Sequence, residues 1–151
     1  MNTLRNLLFF FLIFVILGVG GCSQQGPEKW WRKAAEQGHA TSQFKLGGMY
    51  YLGEGVPKDY QEAFKWFQLA AGQGNASAQS VVGGMYANDQ GVPRDYQEAV
   101  KWWRKAANQG HAYAQFNLGL MCREGEGLPK DYQEAFKWFQ MAADQGYAYA
   151  Q

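Results

Sequence analysis

The side chains in this sequence that are equipped for chemistry are two histidines, two cysteines, a methionine series and acidic residues beside glycine-rich turns. His39 and His111 each follow a glycine, so their worth as metal ligands or proton carriers depends on whether the fold brings them together. Met49, Met85 and Met121 are evenly spaced, as a soft-metal ladder would require, although one flexible packing residue per unit gives the same pattern and is favoured. Cys122 stands where positions 50 and 86 carry tyrosine, which points to a small buried group; a reactive thiol or an intermolecular disulfide are the alternatives. Glu54, Glu124 and Glu126 sit in or beside the turns, where solvation is the default. No Ser, His and Asp set, no metal-spaced cluster and no glycine-rich phosphate loop appears, so the expectation is a non-catalytic protein with no cofactor and no metal.

A repeat of 36 positions sets the elements that hold these residues. Trp30, Trp66, Trp102 and Trp138 keep that spacing, as do Gly38, Gly74, Gly110 and Gly146, and Gln43, Gln79, Gln115 and Gln151. Pro57, Pro93 and Pro129 share the phase, each followed two places later by Asp59, Asp95 or Asp131. Such a period marks a solenoid, in which each unit buries its apolar face only against its neighbours. Two repeats separate His39 from His111. At about 8–10 Å per helix contact they stand on the order of 20 Å apart or more, and share neither a metal nor a proton.

Each period predicts two amphipathic helices. In the first, Ala40 to about Leu52, the residues Gln43, Leu46, Gly47 and Tyr50 fall on one face. In the second, Tyr60 to about Gln73, the residues Tyr60, Ala63, Trp66, Phe67, Ala70 and Ala71 do the same. Gly53, Gly55 and Pro57 turn the chain back between them, and Gly74 ends the second helix in a left-handed conformation. Asp59 with Glu62 has the capping-box form, the aspartate accepting a backbone N–H while the glutamate reaches back; Asp95 with Glu98 and Asp131 with Glu134 repeat it. Gly47, Gly83 and Gly119 lie on the buried stripe, although a helical glycine costs about 1 kcal/mol relative to alanine. Close approach of the partner helix at Ala70 and Ala71, with Trp66 and Phe67 beside them, is the expected compensation.

The order of Ala and Gln, Leu-Gly, Tyr, Gly-x-Gly-Val-x-x-Asp, Ala, Trp-aromatic, Ala-Ala and Gly resembles the Sel1-like repeat family over nearly all of Trp30 to Gln151. The resemblance implies an all-α solenoid of antiparallel helix pairs, a right-handed superhelix related to tetratricopeptide arrays and generally used for protein contacts, with the first helices lining its concave side. The array divides into a half repeat at 30–39, repeats at 40–75, 76–111 and 112–147, and the start of a further helix at 148–151. Some cysteine-rich relatives of this family are described as binding penicillin-type ligands. Their paired cysteines are missing here, which leaves a cell-wall ligand binder or enzyme as the lesser alternative.

Residues 30–79 match residues 102–151 at 37 of 50 positions, so a two-repeat unit has been duplicated. Seven of the 13 differences fall in the first helix, most of them away from its buried stripe. At 100° per residue the positions opposite that stripe face outward. They carry Thr41, Lys45, Gly48 and Leu52, then Ser77, Val81, Gly84 and Asn88, then Tyr113, Asn117, Leu120 and Glu124. On the flank, Phe44 and Phe116 correspond to Ser80, which predicts a shallow depression over Ser80 that receives a partner side chain. The competing reading has these aromatics sealing adjacent repeats, with Ser80 a looser joint, and is favoured because position 44 lies nearer the buried edge.

The amino terminus reads as a signal peptide over 1–21, with Arg5 before an apolar run of about 15 residues that falls short of the roughly 20 needed to span a bilayer. Gly20 and Gly21 directly before Cys22 resemble the lipobox of bacterial lipoproteins, although Val19 replaces the usual leucine. That resemblance implies cleavage before Cys22 and a diacylglyceryl group on its thiol, with 22–29 as the tether. Ser23 then implies the periplasmic side of the outer membrane, the alternative being an inner-membrane signal anchor. Loss of Arg5 reduces 14 basic residues to 13 against 13 acidic, a neutral balance that argues against a nucleic-acid partner. With Cys22 lipidated, no intramolecular disulfide is available. The expected partners are therefore an unidentified protein and the membrane, through either a binding module or a structural assembly lipoprotein. Self-association through an uncapped last repeat is a further expectation.

Overall fold

The computed structural model describes residues 26–147; the expected signal peptide, Cys22 and the start of the further helix at 148–151 lie outside the described residues. Seven helices and no strand occur among those described: α1 (Pro27–Glu36), α2 (Ala40–Leu52), α3 (Tyr60–Gly72), α4 (Ala76–Ala87), α5 (Tyr96–Asn108), α6 (Ala112–Glu124) and α7 (Tyr132–Asp144). Each helix packs on the next in chain order, most closely within the pairs α2 with α3, α4 with α5 and α6 with α7. This is the all-α solenoid of helix pairs that the repeat predicts. None of the described helices is long and apolar enough to cross a membrane.

The second helices begin on aspartate caps. Asp59 Oδ1 accepts from the backbone N–H groups of Gln61 at 2.9 Å and Glu62 at 3.0 Å, and Asp95 and Asp131 repeat the arrangement. The glutamate half of the capping box is not made. The Asp59 N–H instead donates to the Tyr50 carbonyl at 2.9 Å, as Asp95 does to Tyr86 at 3.1 Å and Asp131 to Cys122 at 2.8 Å. With that amide already committed to the first helix, the glutamates turn outward, Glu62 to Lys65, Glu98 to Lys101 and Glu134 to the Trp138 indole. The cap therefore fixes the helix pair as well as the helix start.

The helical glycines receive rings rather than alanines. A Cβ on Gly47 would stand 2.8 Å from the Phe67 ring, one on Gly83 2.7 Å from Trp103, and one on Gly119 2.7 Å from Phe139. Ala70 and Ala71 serve the other junction, buried with Ala78, Val82 and Met85 of the following first helix. Ala106 and Ala107 do the same with Ala114, Leu118 and Met121. Small residues thus let a second helix settle on the next repeat, while a ring on a glycine closes the pair.

A buried amide ladder runs through these junctions. Gln43 Nε2 donates to the Ala35 carbonyl at 3.1 Å, and its Oε1 accepts from Gln73 Nε2 at 2.7 Å. Gln79 with Ala71 and Gln109, and Gln115 with Ala107 and Gln145, repeat the pattern. One in-phase glutamine therefore ties three consecutive helices and leaves no orphaned amide of its own. The turns add a further contact, because the positive φ of Gly91 and Gly127 lets each loop rest on the first turn of the preceding second helix, at Tyr60 and Tyr96.

Candidate protein-interaction site

The ladder and the glycine contacts fix which way the first helices turn. Ser42, Gln43, Leu46 and Gly47 of α2 are buried, and Thr41, Lys45 and Leu52 are exposed. On α4, Ser77, Val81 and Gly84 are half-buried and Asn88 is exposed, its amide donating to the Gly84 carbonyl at 2.8 Å. On α6, Tyr113 and Glu124 are exposed, while Asn117 and Leu120 are half-buried. Asn117 donates to the Tyr113 carbonyl at 2.8 Å, and Glu124 pairs with Arg123.

Ser80 lies elsewhere than at the floor of a depression. It is 2% exposed, and its carbonyl accepts from the Trp103 indole at 3.0 Å. Phe44 meets Phe67 at 5.5 Å between centroids, and Phe116 meets Phe139 at 5.6 Å. The middle repeat thus exchanges a phenylalanine pair for a serine and a tryptophan, and the larger indole, itself 2% exposed, covers the smaller partner. The Ser80 hydroxyl finds no hydrogen-bond partner there.

An open feature of this face lies one repeat earlier. A groove of about 600 Å³ is walled by Trp31 of α1 on one side and by Phe44, Lys45, Gly48, Met49 and Leu52 of α2 on the other, with Glu54 and Gly55 at its end. It unites three residues expected from sequence, Phe44, Lys45 and Leu52, with three that sequence reasoning did not assign to a site, Trp31, Met49 and Glu54. Trp31 is in phase with Phe67, Trp103 and Phe139, each of which lies under a glycine of its own first helix. No first helix covers Trp31 among the described residues, and it is 37% exposed. That phase was the available signal. Leu52 is 60% exposed, so the groove offers apolar surface at both lips, with an ammonium at Lys45 and a carboxylate at Glu54.

The remaining chemically equipped residues are engaged in structure. His111 caps α6, its Nδ1 accepting from the Ala114 N–H at 3.4 Å, and burial lowers its pKa. His39 occupies the equivalent place on α2 without a side-chain cap. Cys122 is buried, and loss of solvent pushes its thiol up to about 11, away from the range of a nucleophile. Met85 and Met121 belong to the core, and Met49 lines the groove. A second depression, about 370 Å³ on the outer side of α5, is lined by Lys101, Arg104 and Lys105 with Trp102. Its charges are already matched, Lys101 to Glu98, Arg104 to Glu134, and Lys105 over the Trp102 ring at 4.1 Å.

The Sel1 repeat profile matches residues 28–39, 40–75, 76–111 and 112–147. Among solved structures, the chain is similar to a protective antigen of uropathogenic Escherichia coli strains that displays an SLR fold, with 43% identity, a TM-score of 0.77, and 81% of this chain and 26% of that one covered. It is similar also to a Sel1 repeat protein from Oxalobacter formigenes, with 41% identity, a TM-score of 0.76, and 82% and 50% covered. The fold alone is shared with cysteine rich protein B of Helicobacter pylori, at 21% identity and a TM-score of 0.66, with 85% and 97% covered. The chain thus spans about a quarter and a half of the first two structures. A comparison with curated proteins returns no match. With four in-phase profile matches laid over helix pairs that pack in order, the chain belongs to the Sel1 repeat family, whose arrays generally serve as scaffolds for protein interaction.

Proposed function

We propose that this chain is an exported, lipid-anchored binding module of the bacterial cell envelope, held by Cys22 on the periplasmic side of the outer membrane. It engages a partner protein on the face of its first helices, with the contact centred on the groove between α1 and α2. The observation that carries this reading is the open apolar groove at Trp31, Phe44 and Leu52 on a face of otherwise mixed character. Few buried apolar anchors ringed by polar groups are what protein interfaces use for most of their affinity. The outward positions around it are also where the duplicated halves of the array differ.

The chain itself supplies the variant that tests this. Position 120 carries Leu where position 48 carries Gly, and Leu120 is half-buried against the core shared by α5 and α6. A Cβ at Gly48 would meet nothing within 4 Å, so the side chain of Gly48→Leu starts into the open space of the groove. It also removes a helical glycine worth about 0.8–1 kcal/mol. The expected result in intact cells is a photo-crosslink from position 52 to an envelope protein that position 68 on α3 does not give, abolished by Gly48→Leu while the melting temperature holds or rises. Persistence of the crosslink in that variant would refute the groove as the binding site.

A further inference from the structure

We infer that the exposed face of α1 rests on the lipid headgroups, with Trp30 at the interface and Lys29 and Lys33 against anionic lipid, so that the array stands on the membrane by its amino-terminal end. The inference rests on the reading of Cys22 as the lipidated residue. Trp30 is the first sign of it. Its in-phase counterparts Trp66, Trp102 and Trp138 are half-buried, and Trp102 and Trp138 pack on the core of the repeat before them. Trp30 is 70% exposed, the highest value for a large apolar side chain among the described residues.

The residues beside it suit a charged interface. At 100° per residue, Lys29, Trp30, Lys33, Glu36 and Gln37 share an arc of about 120° on α1. Lys29 and Lys33 make no ion pair among the described residues, whereas Glu28 is matched by Arg32. Two lysines against Glu36 leave this face net positive, the sign that anionic lipid attracts. An indole with an apolar body and one N–H suits the headgroup level better than either water or hydrocarbon.

Chain length selects the lipid surface as the occupant. Only Ser23, Gln24, Gln25 and Gly26 separate Cys22 from Pro27, and five extended steps reach at most about 18 Å. Trp30 lies three residues farther along α1, about 4.5 Å more by helical rise. A cysteine whose acyl chains are in the bilayer therefore holds this face within roughly one headgroup layer and a short tether of the surface. On the same wheel Trp31 falls about 160° from the middle of that arc, so the groove opens on the side of α1 turned away from the lipid surface and stays free for a partner protein.

The test uses the lipidated mature protein in phosphatidylethanolamine and phosphatidylglycerol vesicles that contain lipid brominated near the headgroup. Tryptophan quenching is read alongside the mass of the amino-terminal peptide. Of six tryptophans, the expected quenching amounts to one residue's share of the emission. Trp30→Phe removes it, Trp31→Phe does not, and Lys29→Glu with Lys33→Glu weakens it. Acylated Cys22 with equal quenching in wild type and Trp30→Phe overturns the docking and leaves the anchor standing. An unmodified Cys22 overturns the anchor, and the docking with it. Trp30 is exposed, so an unchanged circular dichroism spectrum is expected of every variant.

Discussion

Gly91→Ala is the perturbation that most directly probes how one repeat sits on another. Gly55 and Gly91 are equivalent residues of successive repeats, with φ of +74° and +76°. Alanine in that left-handed region costs about 1–2 kcal/mol at either place. Their surroundings differ. A Cβ at Gly91 would stand 2.3 Å from the Tyr60 carbonyl oxygen and 2.9 Å from the Gln61 nitrogen, both backbone atoms in the first turn of α3. At Gly55 the described neighbour is the mobile end of Met49, its Cε 3.2 Å away. Opening the contact at position 91 to an ordinary carbon–oxygen separation of about 3.3 Å requires the loop to lift by roughly 1 Å from the repeat beneath it. Overpacking of that kind adds about 1–3 kcal/mol. The expected losses in urea unfolding, followed by far-ultraviolet circular dichroism, are therefore about 1–2 kcal/mol for Gly55→Ala and about 2–5 kcal/mol for Gly91→Ala. Gly127→Ala, whose Cβ would lie 2.4 Å from the Tyr96 oxygen, should match Gly91→Ala. Losses equal at all three positions would show that φ alone decides the cost and that the loops do not hold the repeats in register.

The exchange of a Phe–Phe pair for Ser80 and Trp103 predicts strong coupling. Ser80→Phe alone overpacks the junction by about 1–3 kcal/mol, and Trp103→Phe alone loses a buried hydrogen bond worth about 1 kcal/mol along with packing. The double variant restores the pairing of the flanking repeats, so a double-mutant cycle by denaturant titration should give a coupling of at least about 1 kcal/mol, and additivity would sink the exchange. Cys122 offers a chemical test. With its thiol at about 11 and its side chain buried, alkylation by iodoacetamide at pH 8 should be at least about 100-fold slower in the native protein than in urea, where the pKa returns to about 8.5. Comparable rates in the two states would restore a reactive thiol.

Much of the architecture was legible because a solenoid writes each contact several times. Gln43, Gln79 and Gln115 announce a buried role by recurring in phase, and the in-phase prolines and aspartates mark where the second helices begin. What failed were inferences about partners distant in sequence. The capping box was half right because no local pattern shows that the Asp59 amide is taken by the Tyr50 carbonyl. Ser80 looked like a gap because the side chain that fills it is 23 residues away. Trp31 went unassigned although its phase equals that of Phe67, since the sequence does not display that, among the described residues, this in-phase ring stands without a first helix over it.

The division of labour inside the first helix accounts for where binding can reside. Gln43, Leu46 and Gly47 are each committed to an amide ladder, a core or a ring, so a change at any of them disturbs a neighbouring helix. Thr41, Lys45, Gly48 and Leu52 carry no such contact, and substitution there leaves the junctions intact. The duplicated unit turns Lys45, Gly48 and Leu52 into Asn117, Leu120 and Glu124 while keeping Gln115, Leu118 and Gly119. Leu120 fills space that Gly48 leaves open, and Trp103 is covered where, among the described residues, no first helix covers Trp31. Two helices built on one pattern therefore present a mixed surface with Leu120 packed down in the third repeat and an open apolar groove in the first. The groove arises from one small side chain and one uncovered ring, features a repeat can vary without altering how it stacks.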